Sequence, residues 1–101
     1  MKSTKIKTQG EKVSDPITTN WREAYNAIVH AAANKARTDI MQRSMAGMYP
    51  PSRLCYRRGE LLLSPECPEG FIDSGLVMPI TVEYQRIGEW IYDNAGRLSI
   101  F

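Results

Sequence analysis

Histidine is almost missing from this chain. His30 stands alone, and the thiols number two, Cys55 and Cys67. A nucleophile–histidine–acid constellation needs an imidazole that the fold positions, and His30 falls on the polar side of a predicted helix, where solvation is its ordinary fate. The two cysteines and His30 are separated by 24 and 11 intervening residues, intervals that match no compact zinc-ligand pairing. No glycine-rich phosphate loop is present, since Gly59 and Gly75 are isolated turn glycines. These absences point away from an enzyme, a metal centre and a cofactor site. Carboxylates such as Glu83 and Glu89 remain as the available acid–base groups.

Long apolar runs are missing as well. No stretch approaches the roughly 20 residues of a membrane span, and the N-terminus lacks the apolar centre of a secretory signal. The expected setting is therefore cytoplasmic, with Cys55 and Cys67 as free thiols. An oxidising setting would allow them to bridge.

Positive charge is scarce in the second half. Residues 59–101 hold two Lys and Arg against seven Asp and Glu, whereas residues 1–58 hold eleven against four. All five lysines, Lys2, Lys5, Lys7, Lys12 and Lys35, lie in the first half. A chain polarised in this way can steer toward an acidic surface, whether nucleic acid or protein. Its lysines equally suit a solvated tail.

What is present is dominated by one stretch, Asn20 to Gly47. Asn20 is a suitable N-cap, with Glu23 three residues on as a capping-box partner. Gly47 suits the left-handed residue that ends a helix, and Pro50 and Pro51 forbid continuation. Between these signals Trp21, Tyr25, Ile28, Ala32, Ala36, Ile40 and Met45 recur at helical steps. Arg22, Asn26, His30, Asn34 and Arg37 fall on another face. Lys35, Asp39 and Arg43 follow at intervals of four and can pair in series. The slim middle of the stripe, Ala31 to Ala33 and Ala36, lets a sheet or a partner approach closely.

The remainder reads as short strands packed on that helix, an α+β domain over residues 17–101 preceded by a Lys-rich arm over residues 1–16. The arm has too few large apolar side chains to offset its ordering entropy. Arg53 to Arg57 alternates, Arg58-Gly59-Glu60 turns the chain, and Leu61 to Leu63 returns as the second strand of a hairpin. Ser64 to Gly70 is a loop with two prolines, each able to populate the cis bond. If a prolyl isomerase acts on the chain, Pro68 is the preferred target. Asp73-Ser74-Gly75 reads as a turn between two apolar runs. Ile80, Val82 and Tyr84 alternate with polar residues as a strand, and Gly88 suggests a bulge or bend. Trp90 to Tyr92 and Leu98 to Ile100 flank Asp93 to Gly96 as a second hairpin, with the chain end tied into the sheet.

Without reactive machinery, surface chemistry is the source of function. Arg53, Tyr56, Arg57 and Arg58 form the densest basic–aromatic cluster. Such residues suit phosphate contact and base stacking. They are also enriched among the energetic anchors of protein interfaces. A third role is a charged hairpin edge that discourages aggregation. Trp90 and Tyr92 are the assisting residues of the expected partner-binding site.

The arm Lys2 to Lys12, the helix Trp21 to Met45 and the loop Ser64-Pro65-Glu66-Cys67-Pro68-Glu69 give the chain the layout of small bacteriophage proteins that disable host machinery. On these features it resembles the anti-RecBCD inhibitors of the Abc family. No residue role carries over by motif. The resemblance implies binding to a host RecBCD helicase–nuclease, chiefly through RecC, with linear DNA ends protected or rerouted to recombination. It also implies residence in the host cytoplasm. The function expected is therefore non-enzymatic inhibition or modulation by protein contact. The alternative from another class is a small DNA-binding or regulatory protein using the lysine arm and the arginine hairpin. A third is a structural or assembly component.

Overall fold

The computed structural model describes residues 16–101, with side chains described from Asn20 onward. The expected Lys-rich arm lies outside the described residues, except for Pro16. The elements run α1 (Pro16–Met45), β1 (Ser52–Arg57), β2 (Glu60–Ser64), β3 (Ile72–Met78), a 3₁₀ turn (Tyr84–Arg86) and α2 (Ile87–Ala95). The class is α+β, as the sequence led us to expect. At about 1.5 Å per residue α1 is a rod of roughly 45 Å, and it runs the length of a molecule measuring 50 × 25 × 21 Å.

The start of α1 corrects the expected cap. Asn20 lies inside the helix, which begins at Pro16. Proline is accommodated in a first turn because its missing N–H is one of the unpaired donors there. The C-terminal end follows expectation. Gly47 takes a φ of +76°, the Met48 N–H donates to the Arg43 oxygen at 2.8 Å, and the Gly47 N–H donates to the Ser44 oxygen at 3.0 Å. This pair of bonds is a Schellman ending. Tyr25, Val29, Ala32, Ala33 and Ala36 are the buried residues of the stripe, while its two ends, Trp21 and Met45, are exposed.

The three strands form an antiparallel sheet in the order β2-β1-β3. The expected hairpin is present, with Arg57 opposite Glu60 and Arg53 opposite Ser64. Leu54, Leu61, Leu63 and Met78 are buried with the α1 stripe, and Tyr56 and Leu76 pack against them partly buried.

Further expectations are overturned. Asp73-Ser74-Gly75 does not reverse the chain but lies within β3, where the register against β1 shifts between Arg53 and Cys55. The turn chemistry is real, since Gly75 has a φ of +83° and its N–H donates to Asp73 Oδ1 at 2.9 Å. It produces a bulge because the flanking runs continue on one strand. The alternation Ile80, Val82, Tyr84 forms a turn and a 3₁₀ segment rather than a strand. Pro79 has no N–H to continue the ladder, and its oxygen accepts from the Val82 N–H at 3.2 Å.

The second hairpin is instead α2. Ile87, Ile91 and Ala95 recur at four and are buried on one face, so helical period outweighs the turn-like Asp93 to Gly96. Gly88 lies in this helix rather than at a strand bulge. A Cβ built there would stand 3.5 Å from Ala33 Cβ, so the two helices cross closely through small residues. The chain end is tied down by the hairpin turn. Ile100 is buried, and its oxygen accepts from the Gly59 N–H at 2.6 Å.

The last correction concerns the thiols. Cys55 and Cys67 are joined in a disulfide, their Cα atoms 5.6 Å apart. Cys55 faces away from α1 on the central strand, and the bridge draws Cys67, in the loop that follows β2, over it. This is why an outward-facing residue is fully buried. Among the described residues every peptide bond is trans, including those before Pro65 and Pro68.

Candidate binding surface

The period of two along β1 divides the expected cluster. Arg53, Cys55 and Arg57 point to the outer face of the sheet, while Tyr56 points inward and packs on the core. The outward arginines carry their own counter-ions. Arg53 Nη1 donates to Asp73 Oδ2 at 2.6 Å. Arg57 Nε donates to Glu60 Oε1 at 2.7 Å, and its guanidinium also lies 4.3 Å from the centre of the Phe71 ring. The Gly75 N–H foremost, and then Arg53, hold the Asp73 carboxyl below its ordinary range. Arg58 is exposed at the hairpin turn, and among the described residues no ion pair engages it.

The Arg58–Gly59 turn meets the C-terminal segment, which belongs to a group of aromatics. The Gly59–Ile100 bond sets Phe101 next to this turn, and the Phe101 ring lies 5.7 Å from Trp21. Trp21 stacks on Tyr25 at 5.7 Å with an interplanar angle of 4°. Tyr25 meets Tyr92 edge to face at 5.0 Å. The row Phe101–Trp21–Tyr25–Tyr92 thus joins α1, α2 and the C-terminal segment. Its outer members stay open, with Trp21 49%, Tyr92 45% and Phe101 47% exposed. A shallow depression of about 190 Å³ lies among Trp21, Tyr25, Leu98 and Phe101.

Of the expected site residues, Tyr92 belongs to this face, and Arg58 precedes the Gly59 that bonds its C-terminal segment. Trp90 does not belong to it, because residues two apart on a helix diverge. It lies partly buried beside Glu83, Glu89 and Asp93. The sequence pattern does not reveal Trp21 and Phe101 as surface residues, whereas Tyr25 is buried as the helical stripe predicts. Helical periodicity puts Trp21 on the core stripe, and the apolar run before Phe101 reads as the end of a strand. The Arg58–Gly59 turn next to an aromatic C-terminus was the available signal, but pairing those distant segments required the fold.

Among the described residues no three of His, Cys, Asp and Glu group as metal ligands would, and no helix is long and apolar enough to cross a membrane. No protein-family model matches the chain, and neither a curated protein nor a solved structure matches it.

Proposed function

We propose that this protein acts by contact rather than by turnover, as an inhibitor or modulator that docks on a host helicase–nuclease complex of the RecBCD class. The observation supporting a contact role is the half-exposed aromatic row beside the Arg58 turn. Trp, Tyr and Arg are the residues that most often dominate binding energy at interfaces. A row already stacked and hydrogen-bonded loses little freedom on docking. The choice of partner, through its RecC-like subunit, rests on the resemblance described above, as does the protection or rerouting of linear DNA ends. Residence in the host cytoplasm and capture by a prolyl isomerase at Pro68 belong to the same proposal.

The test is a pull-down from bacterial lysate with the wild-type chain and with Trp21→Ala/Tyr92→Ala. Near-stoichiometric recovery of the nuclease complex by the wild type alone is the expected result. Recovery of no helicase or nuclease subunit rejects the partner. Equal recovery by both proteins rejects the aromatic face.

The same row also favours a second reading, because stacked aromatics with open faces are platforms for single-stranded nucleic acid. The ion pairs of Arg53 and Arg57 weigh against the arginine hairpin as a phosphate track. This reading requires binding to DNA alone that weakens steeply with added salt. No retardation of single-stranded or duplex DNA at low salt eliminates it.

A further inference from the structure

A second feature lies toward the other end of α1, roughly 36 Å from Trp21 along the helix axis. There the Schellman ending, the Tyr49-Pro50 connector, the end of β3 and the segment after it enclose a groove of about 130 Å³. Ile40, Met48, Met78, Ile80 and Val82 supply most of its apolar lining, and Arg43 supplies a charge. An apolar cavity of about 150 Å³ accommodates one benzene ring, whereas small-molecule and cofactor sites occupy about 300–1,000 Å³. The groove therefore has room for one bulky side chain rather than for a cofactor. Methionine lining adapts to such a group at low cost.

Arg43 specifies the rest of the occupant. Its guanidinium is held by three neutral acceptors, with Nε donating to the Asp39 oxygen at 3.4 Å, Nη1 to the Pro50 oxygen at 3.5 Å and Nη2 to Ser52 Oγ at 3.1 Å. No carboxylate of the described residues pairs with it. The Asp39 carboxylate, four residues back, is engaged by Lys35 at 3.7 Å instead. The negative end of the α1 dipole offsets part of the charge. Three of five N–H donors are used, which leaves a half-buried cation with donors to spare at the rim of an apolar groove. Met78, which lines this groove, ends β3, and among the described residues β3 has no strand on its outer side. An extended segment can lie along such an edge.

We infer that this groove binds an extended segment of a partner protein in which a bulky apolar side chain adjoins an aspartate or glutamate. The apolar side chain enters the groove and the carboxylate pairs with Arg43. The aromatic face plays no part in this contact, so the two surfaces can be tested separately.

The experiment is an NMR titration of the ¹⁵N-labelled full chain with the peptide acetyl-Gly-Ser-Glu-Phe-Glu-Ser-Gly-amide. Versions with both Glu replaced by Gln, or Phe by Ala, complete the set. Amide shifts at Met48, Ser52 and Met78 are expected, with binding of the Gln and Ala versions each weakened about tenfold. In Arg43→Gln the preference for Glu over Gln disappears. Because Arg43 also braces the end of α1, Ile80→Glu serves as a second variant. Ile80 is 66% exposed, so the fold tolerates the change; losing its apolar contact weakens both peptides, and the added charge weakens the Glu peptide more than the Gln peptide. The proposal is overturned by equal affinity for the Glu and Gln peptides, or by shifts that map elsewhere or do not appear at millimolar peptide. Concentration-dependent shifts at the same amides without peptide also overturn it, by assigning the groove to a second copy of the chain.

Discussion

The Tyr25 hydroxyl donates a 2.7 Å hydrogen bond to the main-chain oxygen of Tyr92, joining two rings that meet edge to face at 5.0 Å. This contact fixes α2 against α1 at the aromatic row. Tyr25→Phe keeps the ring and removes the bond, and is expected to cost about 0.5–1.5 kcal/mol in urea unfolding. The contact also sets an alkaline limit. Burial first, then the neighbouring Tyr92 and Asp93, raises the Tyr25 phenol above its ordinary value of 10.0. Above that pH the unfolded chain loses the proton while the folded chain retains it, so stability declines as pH rises through and beyond this value. Tyr25→Phe should show a shallower decline over the same range. An unchanged slope would remove Tyr25 as the cause.

The paired arginines and the open aromatics make opposite predictions for binding. Trp21→Ala and Tyr92→Ala should each weaken docking on a purified nuclease complex by about 2 kcal/mol or more, the range of interface anchors. Arg53→Gln and Arg57→Gln remove charges already committed to exposed ion pairs with Asp73 and Glu60, and should change affinity by less than about 1 kcal/mol. Calorimetric titration with each variant measures both. A larger loss at the arginines than at the aromatics would return the site to the hairpin.

Much of the fold was legible where local chemistry and tertiary packing agree. The end of α1 at Gly47 and the hairpin about Gly59 need only nearby residues to be right. The failures came where one sequence pattern serves two structures. Asp73 and Gly75 make the same side-chain-to-backbone bond in a turn as in a bulge, and only the pairing of Ser52 with Met78 shows that the strand continues. Ile80, Val82 and Tyr84 alternate without sharing a buried face. In α2 the spacing of Ile87, Ile91 and Ala95 was readable, but the turn residues after it suggested a hairpin. The site was less legible than the fold, because it depends on Phe101 meeting Trp21 across most of the chain length.

The Cys55–Cys67 bridge closes a loop with a sequence separation of 12, and loops of this size are stabilised by about 3 kcal/mol. Reduction, or Cys67→Ser, should lower the urea midpoint accordingly without altering the denaturant slope of the folded domain's main transition by much. The bridge has direct bearing on location, since such bonds persist in oxidising compartments and are rare in the cytosol. A chain working in a host cytoplasm must therefore remain folded with the bridge open. The aromatic row draws on α1, α2 and the C-terminal segment, and the bridge on β1 and the loop after β2. Reduced protein should accordingly keep its affinity for the nuclease complex. Loss of binding on reduction, with the fold intact by circular dichroism, would tie the docking surface to the bridged loop and count against a cytoplasmic site of action.

Asp73 gives the acid limb of stability. Oδ1 accepts from the Gly75 N–H at 2.9 Å and Oδ2 from Arg53 at 2.6 Å, so both oxygens of one carboxylate hold the β3 bulge against β1. The Gly75 bond is the larger influence and Arg53 the second in lowering the carboxyl below its ordinary value of 3.8. The folded state therefore keeps Asp73 ionised where the unfolded chain has begun to protonate it. The resulting stabilisation is fully present well above this value and is lost as pH falls from there toward the folded pKa. Asp73→Asn retains an acceptor for Gly75 but has no charge to titrate. Its unfolding free energy should be lower than wild type near neutrality, and the difference should shrink as the solution is acidified. Arg53→Gln should reduce the acid-dependent loss less than Asp73→Asn, because the Gly75 bond remains. Parallel stability–pH curves for wild type and Asp73→Asn would show that the bulge is held by packing alone.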